Sequence, residues 1–238
     1  MLWNLYAACF DLVAGLAPYR DMLDEVVAAL DLRPGMRVLD AGCGTGALEL
    51  RLAARYPDVE VVAVDASPAM LARARRRTWS VSPRFVDADI DDFLAKEKGR
   101  FDRVVSVNLI WALADPSRTI EHMADCLAEG GRMVHTTPRW RFRFDVIVVR
   151  HLWRARGVRA FVRALCLLPT LAVAGLLNLA IVLRVLATNR AWRDRSRWQA
   201  EGLARLCSRP GLGPVVISPT YAGQGFLVTC YKTPAPLL

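Results

Sequence analysis

Nine consecutive residues carry the clearest chemical potential in the chain: Val38-Leu39-Asp40-Ala41-Gly42-Cys43-Gly44-Thr45-Gly46. An apolar run ends in an acid, three glycines follow at alternate positions, and a helical pattern opens. Glycine lets a ligand approach the backbone closely and adopts φ angles that other residues resist. The helix start adds unpaired N–H groups and a positive dipole end, so the turn can hold a polar or negative ligand group. A dinucleotide turn reads G-x-G-x-x-G, and this one is a residue short; the G-K-[ST] of a phosphate loop is absent. A second apolar run, Val61 to Val64, ends in Asp65, 19 residues after Gly46. A carboxylate there can accept both hydroxyls of a ribose. Ser67 and Pro68 then read as the N-cap and first position of a helix.

The elements needed to position these residues are legible on either side. Strand-like runs recur at Arg37–Ala41, Val59–Val64, Arg84–Val86, Arg103–Val107 and Arg132–Thr136. Helical stretches separate them at Ala47–Arg55, Pro68–Arg77, Asp91–Lys98 and Ser117–Ala128, and another precedes them at Asp21–Leu30. Alternation of this kind predicts βαβ units, a parallel sheet and right-handed crossovers. A short helix near Ala200–Cys207 and β-rich runs at Gly213–Ser218 and Gly225–Tyr231 close the pattern.

The nine-residue turn resembles the first motif of the class I S-adenosylmethionine-dependent methyltransferases. The resemblance covers Asp21–Pro138 and Ala200–Tyr231. It implies an α/β fold, a Rossmann-like doubly wound sheet of seven strands with the last antiparallel. It also implies S-adenosyl-L-methionine as cofactor, cradled by Asp40, Gly42, Gly44 and Gly46, with Asp65 and Ala66 along the ribose. Phe85-Val86-Asp87-Ala88-Asp89-Ile90 is similar to the family's adenine motif. That similarity places Asp89 near the adenine amino group and Ile90 against the ring; Asp87, two residues away, is the other register. Phe101 to Asn108 resembles the next motif, whose end faces the methionine half, putting Asn108 and Leu109 there with Trp111 following. Leu127 to Arg132 looks like the glycine turn before the fifth strand.

No residue stands out as a catalytic acid or base. His135 falls on a strand, His122 in mid-helix and His151 outside the alternating pattern. Tyr19, Trp111 and Tyr221 are candidates to line a pocket. The N-P-P-[YF] motif that the family uses for planar amide or adenine nitrogens is replaced by Asn108-Leu109-Ile110-Trp111. The cysteines at 9, 43, 126, 166, 207 and 230 form no CxxC pair and lie away from histidine, which argues against a zinc site or a disulfide framework.

Composition adds a second theme. Of 238 residues 54% are hydrophobic, which excludes a disordered chain, and the net charge is +9. The excess charge is local: residues 139–200 hold 13 Arg and only two acids, Asp145 and Asp194. Inside that segment Ala164–Leu183 is 20 residues without a charge, about the length that spans a bilayer core. Arginines flank it on both sides, and Trp140, Trp153, Trp192 and Trp198 lie further out, as membrane interfaces favour. A single crossing would strand the last two β runs on the wrong side, so the segment must leave and return on one face. Pro169 and Gly175 then predict a helical hairpin or a bent helix.

The chain thus divides into a cofactor domain, 1–138 and 199–238, and an insertion, 139–198. The insertion is expected to act as a monotopic membrane contact, a substrate cap or both, with arginines on lipid phosphates. The apolar start (Leu2, Trp3, Leu5, Tyr6, Phe10) joins that surface, and without a basic head it does not read as a signal peptide. The expected activity is methyl transfer to a lipophilic small molecule such as a phospholipid, quinone or isoprenoid, at the cytoplasmic face of a membrane. Two rivals stand beside it. One is an RNA methyltransferase using the arginines on phosphates; the other is a non-catalytic protein of the same fold that assembles with a membrane partner.

Overall fold

The computed structural model describes residues 2–154, 168–188 and 194–233. Its frame is a seven-stranded sheet of order β3-β2-β1-β4-β5-β7-β6. The strands are β1 (Arg37–Ala41), β2 (Glu60–Asp65), β3 (Arg84–Asp87), β4 (Phe101–Val107), β5 (Leu127–Pro138), β6 (Val216–Thr220) and β7 (Gly225–Tyr231). β1 to β5 pair in parallel, and β7 runs antiparallel between β5 and β6. Central strands covered on both faces need continuous apolar runs. β1 supplies one: Val38, Leu39 and Ala41 are all buried, with Leu39 in register with Val62 of β2 and Val104 of β4.

The helices are α1 (Leu2–Ala14), α2 (Ala17–Leu30), α3 (Ala47–Arg55), α4 (Pro68–Arg75), α5 (Ile90–Leu94) and α6 (Pro116–Cys126), then α7 (Phe144–Trp153), α8 (Leu168–Thr188) and α9 (Ala200–Cys207). The sequence predicts α3 and α9 at their observed bounds. β5 begins five residues earlier than expected because Leu127 pairs with Phe101, so the Gly130-Gly131 turn is drawn into the strand. β6 starts later than expected, since Pro214 has no N–H for a ladder; the preceding Gly213 instead donates to Tyr231 O at 2.7 Å.

Strand order reverses between β1 and β4, and a crevice opens beyond their carboxyl ends, where open α/β sheets hold their ligands. α1 closes one side of that crevice and packs along α8. Over its described length α8 is one continuous helix and not a hairpin. Pro169 sits in its first turn, where the missing N–H is harmless. Gly175 does not break it either, and faces the Phe144 ring instead: a Cβ there would lie 3.7 Å from Phe144 Cδ1. Ile181 and Val185 bury the inner side. Among the described residues no helix is long and apolar enough to cross a membrane. Residues 164–167 of the apolar run, and Arg156, Arg159, Arg163, Arg190, Trp192 and Arg193 beside it, lie outside the described residues.

Candidate cofactor and acceptor cavities

The glycine turn is tied to the end of β2. Gly42 N–H and Cys43 N–H both donate to Val64 O, at 2.8 and 3.0 Å. Gly42 and Gly44 hold φ of 87° and 56°, a region that penalises a side chain. A Cβ on Gly42 would also sit 2.9 Å from Leu109 Cδ2. Asp65 then braces the turn: its Oδ2 accepts from Gly44 N–H and its Oδ1 from Ser67 N–H, both at 2.8 Å. Burial raises the Asp65 carboxyl, while the amides of Ser67 and Gly44 oppose that by favouring the ionised form. Ser67 caps α4 through Met70 N–H and donates to Asn4 Oδ1 of α1 at 2.7 Å.

At the end of β4, Asn108 holds φ of 54°, a left-handed conformation that asparagine tolerates better than most residues. Its N–H donates to Thr136 Oγ1 at 3.0 Å, and Thr136 Oγ1 donates to Asn108 Oδ1 at 3.2 Å. The strand end is thereby locked to β5, and the side-chain Nδ2 points to the buried Met22 Sδ at 3.8 Å.

Two cavities share that crevice. The first, of about 300 Å³, is walled by Gly42, Gly44, Asp65, Ala66, Asp89, Ile90 and Asn108, all expected at the cofactor, together with Trp3, Asn4 and Phe10 of α1. Asp89 also caps α5 through Asp91 N–H and Asp92 N–H, whereas Asp87, the alternative register, does not line the cavity. The two remaining expected residues lie behind it. Asp40 is buried beside Glu49. Burial, then the Glu49 charge, drives Asp40 well above the usual carboxylate range, and burial raises Glu49 too. Gly46 turns its Cα toward Trp79, where a Cβ would meet Cη2 at 3.0 Å; with φ of 79°, its part is conformational.

The second cavity, of about 280 Å³, is aromatic. Trp3, Tyr6, Phe10, Tyr19, Trp111, Trp140, Phe142, Phe144 and Tyr221 line it, and Gly175, Leu179 and Val182 of α8 close it. The rings meet edge to face, Phe10 with Tyr19 at 5.9 Å and Tyr19 with Tyr221 at 5.5 Å, the geometry their quadrupoles favour. Burial pushes both phenols far above their ordinary range, so they stay neutral. Trp3, Phe10, Tyr19 and Asn108 line both cavities.

Tyr19, Trp111 and Tyr221, named from the sequence, are all in this wall. The contribution of α1 was not foreseen. Apart from Asn4 and Asp11 the helix is apolar, so the sequence offers no clear amphipathic stripe to announce a packed helix. None of the histidines reaches either cavity. His135 is buried against Cys207 Sγ at 3.4 Å, and burial lowers it to about 4, which makes it a neutral core residue. His122 faces Asp91, and His151 Nδ1 accepts from Ala17 N–H.

Comparison with known proteins bears on the domain and the fold. Residues 38–131 match the methyltransferase domain family. The malonyl-[acyl-carrier protein] O-methyltransferase of Paenibacillus sp. (strain JDR-2) is 35% identical over 105 residues, covering 42% of this chain and 38% of that protein. The ubiquinone biosynthesis O-methyltransferase of Xanthomonas oryzae pv. oryzae is 34% identical over 117 residues, 48% of each. The chain thus spans less than half the length of these curated relatives. The N-methyltransferase NodS from Bradyrhizobium japonicum WM9, solved with S-adenosyl-l-homocysteine, superposes with a TM-score of 0.57 at 17% identity, over 93% of this chain and 90% of that one. The chain carries a class I S-adenosylmethionine-dependent methyltransferase domain, with S-adenosylmethionine as the cofactor of that domain.

Proposed function

We propose that the whole chain transfers the methyl group of S-adenosylmethionine to a lipophilic small molecule taken up at the inner face of a membrane. The observation that carries this reading is the junction of the two cavities at Trp3, Phe10, Tyr19 and Asn108. In this proposal Gly42, Gly44, Asp65, Ala66, Asp89, Ile90 and Asn108 hold the cofactor, with Asp65 at the ribose hydroxyls and Asp89 and Ile90 at the adenine. Asp40 and Gly46 support the turn from behind. Bound there, the cofactor supplies a methyl group already activated by its sulfonium. The protein's own task is to hold an acceptor atom in line, and alignment of that kind is worth up to roughly 7–11 kcal/mol of a barrier. Among the described residues neither a histidine nor a carboxylate lines the aromatic cavity, which favours an acceptor whose lone pair is available without a strong base.

Its aromatic lining suits an apolar acceptor. The helices that wall it also turn apolar side chains to solvent: Leu5 on α1, Val149 and Trp153 on α7, and Val173, Leu176 and Leu183 on α8. Leu176 is 67% and Trp153 86% exposed, values that single out this face for an apolar neighbour. The relatives' names point to different acceptors, so the choice among phospholipid, quinone and isoprenoid rests on the cavity.

Incubation with a total lipid extract and methyl-labelled cofactor, followed by mass analysis, tests the reading. A labelled, organic-soluble product is expected. Label confined to water-soluble or RNA products would overturn the lipophilic acceptor, and failure to float with anionic liposomes would overturn the membrane contact.

A further inference from the structure

The aromatic cavity shares Arg139 and Trp140 with a third hollow of about 590 Å³. Arg139, Arg141 and Arg195 line it with Trp140, Trp198 and Phe226, and among the described residues no acid does. The Arg195 guanidinium lies over the Trp140 ring at 5.4 Å, and that of Arg139 over Phe226 at 4.6 Å. Stacking fixes the plane of a guanidinium while leaving its N–H edge free.

Two other stacked arginines show what is unusual here. Arg37 lies over Phe101 and Arg132 over Tyr231, but each is also paired with a carboxylate, Glu60 at 3.0 Å and Asp31 at 3.2 Å. Among the described residues, Arg139, Arg141 and Arg195 have no carboxylate partner. Three uncompensated guanidiniums around one hollow, two of them oriented by stacking, exceed what a carboxylate can use, since one fork satisfies that group. They match the several oxygens and higher charge of a phosphate.

We infer that the hollow binds the phosphate of an amphiphile whose apolar part lies in the adjoining aromatic cavity. Naming that amphiphile as the methyl acceptor rests on the proposed function; the anion site itself does not. The phosphate sits outside the crevice mouth and anchors the molecule, while the apolar part reaches past Trp140 toward Asn108.

The test uses the full chain saturated with S-adenosylhomocysteine, read by tryptophan fluorescence and calorimetry. Dodecyl phosphate below its micellar concentration is expected to bind at least tenfold tighter than dodecyl maltoside. R139A/R195A should remove that preference, and R139K/R195K should restore it only in part. L179W, which enlarges a side chain in the aromatic cavity wall, should weaken dodecyl phosphate tenfold and leave inorganic phosphate unchanged. Equal binding of the two detergents, or a preference that survives R139A/R195A, overturns the inference. Arginine-dependent binding to phosphatidylglycerol vesicles that L179W does not affect also overturns it, because the anion would then be a bilayer headgroup and not part of a molecule in the cavity. Protein that binds S-adenosylhomocysteine but not dodecyl phosphate defeats this inference alone. Protein that binds dodecyl phosphate but not S-adenosylhomocysteine upholds the anion site and defeats the methyl-transfer reading.

Discussion

Asp11 of α1 accepts a 2.6 Å hydrogen bond from Thr45 Oγ1 of the glycine turn, 34 residues away in sequence. Arg77 joins them, donating to Asp11 Oδ1 and to Thr45 O, both at 2.5 Å, and Arg73 reaches Asp11 Oδ2 at 3.3 Å. The helix that walls the cavity beside Gly42 and Gly44 is thus latched to the glycine turn. Asp11→Ala should cost about 1–2 kcal/mol, discounted because the cluster is partly exposed. It should also speed S-adenosylhomocysteine dissociation several-fold in stopped-flow traces, with the difference from wild type narrowing at 1 M salt. An unchanged dissociation rate would show that α1 does not gate the cavity.

Asp65→Ala removes the acceptor for both Gly44 N–H and Ser67 N–H, as well as the proposed ribose contact. Calorimetric affinity for S-adenosylmethionine should fall on the order of 10²-fold, about 2.7 kcal/mol. Asp65→Asn keeps one carbonyl acceptor and should lie between the two. Wild-type affinity in the alanine variant would remove Asp65 from the cofactor site.

Asn108 separates backbone from side chain cleanly. Asn108→Gly keeps the left-handed conformation at φ of 54°, whereas Asn108→Ala must hold it with a Cβ, at a cost of about 1–2 kcal/mol. Thermal unfolding should therefore rank the glycine variant above the alanine variant. The reverse order would mean that the turn relaxes out of that conformation.

His135 sets a pH dependence. Its folded pKa is about 4 against 6.5 when exposed, so between those values the unfolded chain binds the extra proton. Stability is full above pH 6.5 and falls as pH drops, by roughly 3 kcal/mol at pH 4. Urea unfolding between pH 7 and 4.5 should show this slope, and His135→Gln should flatten it. A slope of equal size in both proteins would assign the effect elsewhere.

Much of the cofactor half is legible in the sequence because its signals are local. A glycine with positive φ, an acid closing a strand and a serine before proline each dictate their own few residues. The seven-strand order and the walls around Gly42, Asp65 and Asn108 follow from those. The aromatic cavity is different. Tyr19, Trp111 and Tyr221 come from three distant stretches, and nothing in their neighbours says that Phe10 and Leu179 will meet them. Asp40 and Gly46 belong to the motif, yet they stand behind the turn, since a motif marks residues that shape a site as well as those that face it. The contact at Gly175 is likewise tertiary: the Phe144 ring packs over the glycine, from a helix 31 residues back in sequence.

The excursion after β5 departs and rejoins at one place: Trp140, just beyond the strand, lies beneath Arg195, just before α9, and Arg139 N–H is held by Gln224 O. Such a closed loop can be exchanged as a cassette, with seams near Pro138 and Gln199, without disturbing the pairing of β5 with β7. Under the proposed function, a chimera carrying another protein's segment there should keep the cavity at the glycine turn and take on a new clientele.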